Sequence, residues 1–101
     1  MRMDQRTFKL YRGKELLGII THTDNDFPWY WGTFEPTEHF LTVKSLFDLE
    51  HKLLDLNDIQ KHQKIWEEIT KPGLRLVSNQ DHQEITEFLI HIDGNETWWR
   101  C

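Results

Sequence analysis

Asp26-Phe27-Pro28-Trp29-Tyr30-Trp31-Gly32-Thr33-Phe34-Glu35-Pro36 sets five aromatic rings among two prolines and separates a β-patterned beginning from a helix-patterned middle. Within it Trp29, Trp31 and Thr33 alternate with Tyr30, Gly32 and Phe34. That is the period of a strand, and aromatic residues favour strands. Pro28 fits the strand's start, where its missing donor does least harm, and Gly32 marks a bulge or a close approach. A second aromatic pair, Trp98-Trp99, closes the chain and is expected in the same sheet.

Upstream, Thr7-Phe8-Lys9-Leu10-Tyr11-Arg12 alternates apolar and polar residues and reads as a half-buried strand. Gly13-Lys14 supplies a turn, because glycine tolerates the positive φ a tight hairpin requires. A second strand follows from 15 to about 22. A two-residue loop would place Leu10 opposite Leu17 and Phe8 opposite Ile19 on the core face. Tyr11 with Leu16, and Thr7 with Ile20, would then share the other face. Thr23-Asp24-Asn25-Asp26 reads as a turn, since short polar side chains bend the backbone.

Downstream, Thr37 can cap a helix, its hydroxyl accepting from an orphaned amide. Phe40, Val43, Phe47 and Leu54, with Leu46, Leu49 and Leu53, recur at helical spacing and predict one amphipathic helix over 38–54. Asp55 or Asn57 can cap a second, carrying Ile59, Trp66 and Ile69, that stops at Lys71-Pro72-Gly73. Leu74-Arg75-Leu76-Val77 resumes strand pattern, 84–93 alternates with Phe88, Ile90 and Ile92 on one face, and Asp93-Gly94-Asn95-Glu96 is a hairpin turn. Its register sets Ile92 opposite Thr97, His91 opposite Trp98 and Ile90 opposite Trp99. The pattern predicts an α+β domain over 1–101: an antiparallel sheet of about six short strands, ordered β-β-β-α-α-β-β-β, with two helices on one face. Phe8, Leu10, Leu17, Ile19, Phe47, Trp66, Phe88, Ile90 and Trp99 are its expected core.

The phrase Asp26-Phe27-Pro28-Trp29 with Gly32, Phe34 and Pro36, and the phrase Phe88-Leu89-Ile90-His91-Ile92-Asp93-Gly94 before Trp98, resemble a group of small uncharacterised bacterial proteins. The likeness spans most of the chain. It implies a bacterial, cytoplasmic origin and carries over no chemistry and no site.

Seventeen acids against twelve bases give a net charge of −5, a sign that repels phosphate backbones and argues against nucleic acid as partner. Six acids between 35 and 58 (Glu35, Glu38, Asp48, Glu50, Asp55, Asp58) face only Lys44 and Lys52. A solvated helix face is the plain account of them, and a dock for a basic partner the sharper one. No apolar run approaches the roughly 20 residues of a membrane span. The single cysteine, Cys101, has no internal partner for a disulfide.

Chemistry finds little purchase. There is no HExxH, no CxxC, no Gly-x-Ser-x-Gly elbow and no phosphate-binding glycine loop, so no cofactor is expected and catalysis is disfavoured. His91 and Asp93, two apart on a strand, share a face and form the best acid–base pair. Trp98 beside Trp99 must turn outward if Trp99 turns inward, and an exposed Trp near Arg100 has the character of an interaction anchor. The candidate surface is therefore Tyr11, Leu16, Ile20, His91, Asp93, Trp98 and Arg100, all expected on the sheet face away from the helices. The expected function is a protein-interaction module, with self-association into a homodimer as its simplest form. The alternative is a small-ligand binder or enzyme using His91 and Asp93 beside Trp98. Because the histidines lack ligand spacing, the dialysed protein is expected to hold no stoichiometric transition metal. Elemental analysis finding about one metal per chain would contradict that.

Overall fold

The computed structural model describes residues 6–100. β1 (Thr7–Arg12) and β2 (Glu15–Asp26) form the first hairpin, with Gly13 at φ +63° in the turn. Tyr11 pairs with Leu16 as expected, but Leu10 pairs with Gly18 and Phe8 with Ile20. Leu17 is an extra residue, a β-bulge, and beyond it the strand's faces exchange. Ile20, expected on the outer face, is therefore fully buried in the core, and Ile19, expected in the core, is half-exposed. The carbonyls of the bulge are not wasted. Thr37 donates its N–H to the Leu17 oxygen at 2.8 Å and its hydroxyl to the Leu16 oxygen. The same hydroxyl oxygen accepts from His39 N–H at 3.2 Å, so the predicted cap both starts the helices and ties them to the bulge.

β2 runs through Thr23–Asp26, where a turn was expected, and shifts register between His22 and Asp24 opposite Gly32 and Trp31 of β3 (Trp29–Pro36). The turn is Phe27-Pro28, joined by a cis peptide. The predicted 38–54 helix divides into α1 (Glu38–Leu41) and α2 (Lys44–Asp55). Its break falls at the β-branched pair Thr42-Val43, both weak helix formers. Asn57 adopts φ 57° after α2, and the cap of α3 (Ile59–Thr70) is Asp58, which accepts from Lys61 N–H. At the far end Arg12 donates to the carbonyls of Ile69 (2.9 Å) and Glu68 (3.0 Å), closing α3 with a cation where the helix dipole favours one.

Four strands follow: β4 (Leu74–Ser78), β5 (Glu84–Ile85), β6 (Leu89–Asp93) and β7 (Glu96–Arg100). The fold is α+β, a seven-stranded antiparallel sheet in the order β5-β4-β1-β2-β3-β7-β6 with three helices. The predicted 84–93 strand is thus two strands, one at each edge of the sheet, joined only by residues 86–88. The second hairpin has the predicted register, with Ile90 opposite Trp99 and His91 opposite Trp98.

One face of the sheet carries Leu10, Ile20, Phe34, Leu76, Ile90 and Trp99, all essentially without solvent contact. Phe40 meets Phe34 edge-on at 4.9 Å and Phe47 at 5.5 Å, so the helices add their apolar stripe to this face. Trp66 and Phe88, expected inside, pack half-buried at its margin. No helix among the described residues is long and apolar enough to cross a membrane.

Gly18 lies in the bulge under the Phe34 ring, where an added Cβ would come within 2.5 Å of the ring and 2.6 Å of the Glu35 carbonyl. Gly18→Ala should therefore overpack the core and cost about 2 kcal/mol, read as a lower midpoint in urea unfolding.

Candidate functional site

α2 packs along β6, the edge strand next to β7, and at that contact Glu50 is completely buried. Its helical position explains this, because residue 50 lies one turn beyond Phe47, on the side of α2 that the core draws inward. A lone buried carboxylate is costly unless hydrogen-bonded. Two imidazoles supply the bonds. His91 Nδ1 of β6 stands 2.8 and 3.0 Å from the two carboxylate oxygens, and His62 Nε2 of α3 stands 2.6 Å from one of them. An ionised carboxylate accepts and does not donate, and for it to accept from both rings requires Nδ1–H on His91 and Nε2–H on His62. One side chain thus fastens α2 to both α3 and the sheet edge.

Beyond His91 the aromatic residues close in. Its ring centroid lies 5.5 Å from Trp29 and 5.5 Å from Trp98, and His91 itself is 4% exposed. Trp98 stacks on Trp31 at 5.0 Å and 21°, meets His51 of α2 edge-on at 5.5 Å, and keeps part of its surface in solvent. Arg100 lies over Trp29 at 5.3 Å, a cation on an aromatic face.

The expected surface residues therefore separate. Tyr11 and Leu16 are cross-strand partners on the outer face, and Arg75 covers Tyr11 at 4.4 Å. Trp98 and Arg100 lie at the other side of the same face, but Trp98, expected to face away from the helices, is met there by His51 of α2. Ile20 does not belong to it. His91, expected to be open beside Asp93, is turned against Glu50 and roofed by two indoles, while Asp93 is exposed. Strand parity did place His91 on that face, but parity carries no information about a helix lying against the sheet's edge. Glu50 was counted among the solvated acids and His62 was assigned no role, although a signal existed: Glu50 interrupts the apolar stripe between Phe47 and Leu54, and His62 stands one turn before Trp66.

As chemistry, Glu50 and His91 have the order of a carboxylate orienting a base, and both are buried. The principal depressions of the surface are lined by other residues. One of them, of about 140 Å³ and lined by Arg6, Phe8, His22, Tyr30, Gln83, Ile85 and Trp99, is below the roughly 300 Å³ at which ligand sites begin. Among the described residues no three His, Cys, Asp or Glu side chains are grouped to hold a metal ion. The arrangement acts as a clamp. Compared with protein-family models, curated proteins and solved structures, the chain matches none.

Removing His91 leaves a buried carboxylate short of a donor and opens a cavity beside two indoles. His91→Ala should cost about 3 kcal/mol of stability, and Glu50→Gln, which keeps an acceptor and the shape, about half that. Urea unfolding of both variants is the check; equal losses, or none, would remove the clamp from the account.

Proposed function

We infer that this chain is a protein-interaction module that self-associates through the outer face of its sheet. The observation that carries the reading is a band of half-exposed apolar side chains on that face. It holds Val77, Tyr11, Leu16 and Ile19 around Lys9 on one side and Trp31 and Trp98 on the other, with Thr21 and Thr33 between. Single exposed apolar residues need no explanation, but six half-exposed ones on one face of a sheet favour a partner.

The charges along the band suit a second copy. Lys9 sits on β1 and Arg75, paired with Glu84 at 3.6 Å, on β4, whereas Glu35 and Glu96 sit on β3 and β7 together with Arg100. A two-fold axis running parallel to β2 would bring Lys9 of one copy toward Glu35 of the other and Ile19 against its own mate. The alternative, a ligand site at His91 and Asp93, draws no support from a His91 that faces Glu50.

Sedimentation velocity across a concentration series tests the reading. Wild type should dimerise. Trp98→Ala should cost roughly 2 kcal/mol of association, about thirtyfold in the dissociation constant, and Ile19→Asp should abolish the dimer by placing two carboxylates on the axis. A wild type that stays monomeric at high concentration would refute self-association.

A further inference from the structure

α2 has more apolar surface than its place in the fold uses. Phe47 faces the core and Glu50 the clamp, which satisfies the single stripe that a helix on a core requires. Leu49, Leu53 and Leu56 form a second stripe at i, i+4 and i+7, on another side of the helix. That stripe opens on a groove of about 370 Å³ between α2 and α3. Leu53 and Ile65 make its floor, and Leu49 and Leu56 stand at its walls, 39% and 65% exposed.

The rim is basic. Lys52, Lys61 and Lys64 line the same groove, in a chain whose net charge is −5. Among the described residues Lys52 and Lys64 make no ion pair, and Lys61 approaches Asp58 only to 3.9 Å. Three of the acids that crowd this part of the sequence are spent elsewhere: Glu50 in the clamp, Asp48 on Lys44 at 2.7 Å and Asp58 as the α3 cap. Asp55 stays exposed three residues from Lys52, and Glu67 lines the next depression with Lys61 and Lys64. What remains at the groove is an apolar floor with cations around it.

We propose that the α2–α3 groove is a docking site for an acidic amphipathic helix of another protein. The seven steps from Leu49 to Leu56 span roughly 10 Å at 1.5 Å per residue, the reach of two helical turns with apolar anchors at i, i+4 and i+7. Carboxylates flanking those anchors meet the three lysines. A basic partner is repelled by the same rim, and the site is independent of the sheet face.

The probes are three fluorescein-labelled 16-residue peptides of one design, with leucines at i, i+4 and i+7 and flanks of Glu, Gln or Lys. Binding to the full chain is followed by fluorescence anisotropy. The Glu-flanked peptide should bind with a Kd of about 10 µM, the Gln-flanked peptide about tenfold weaker, and the Lys-flanked peptide not at all. Added salt should weaken the first and spare the second. Lys52→Gln/Lys61→Gln/Lys64→Gln should erase the preference for Glu flanks, and Leu49→Ser/Leu56→Ser should abolish binding to all three. Both variants alter exposed side chains, and circular dichroism verifies that each remains folded. No saturable binding of the Glu-flanked peptide, equal binding of the Lys-flanked peptide, or an affinity untouched by either variant would overturn the proposal. So would loss of peptide binding in Ile19→Asp, which would move the contact to the sheet, or tighter binding to anionic phospholipid vesicles than to the peptide.

Discussion

Three residues, 86–88, connect opposite edges of a seven-stranded sheet, and that connection decides the shape of the molecule. Laid flat, six inter-strand spacings would hold β5 and β6 roughly 29 Å apart. The four steps from Ile85 to Leu89 reach at most about 14 Å. The sheet must therefore curl until its edges nearly meet, an open barrel with the core face inward. The contacts agree: Phe8 of β1 touches Trp99 of β7 at 5.6 Å although two strands lie between them. Gln83 and Ile85, at one edge, line a cavity with Tyr30 and Trp99 from the far side.

Curling leaves the β6 edge unpaired by any strand of the described residues, and an unpaired edge invites another chain. Here a helix lies along it. Because a helix cannot complete a strand's ladder, the contact is made by side chains, and a fully buried carboxylate between two imidazoles holds α2 in register with β6 and α3. The same placement explains why α2 shows a second apolar stripe. With one flank on the core and another on the sheet edge, it has only its outer side left to form a groove with α3.

Much of this was legible where the cause is local. Gly13 and Gly94 mark the two hairpins they occupy, both at positive φ, and Thr37 caps a helix as its hydroxyl suggests. The register of β6 and β7 follows from the Asp93–Glu96 turn. What escaped has a non-local cause. Nothing in Leu16-Leu17-Gly18 announces that Leu17 is an inserted residue; the bulge exists because Thr37, twenty positions on, takes its carbonyls. That single insertion exchanged Ile19 for Ile20 in the core. The split of 84–93 likewise answers to the opposite edges it must join, and the pattern does slip there, from core-side Ile85 at an odd position to Phe88, Ile90 and Ile92 at even ones. Glu50 was read as one of many solvated acids, since an acid's burial depends on histidines twelve and forty-one residues away.

The strand order also governs when the molecule can become whole. β1, β2 and β3 pair as neighbours in the first third of the chain, but β1 receives its second partner from β4 and β3 from β7, in the last third. During synthesis from the N-terminus, the early meander stands with both edges open until β4 and β7 have followed. The Trp99 ring, which seals the inner face against Phe8, belongs to the last of the seven described strands. Such long-range pairing makes for a slow final closure, and its nascent edges are the part of the chain most exposed to misassociation. A chain cut short before β7 is not a smaller version of this protein but an unclosed sheet.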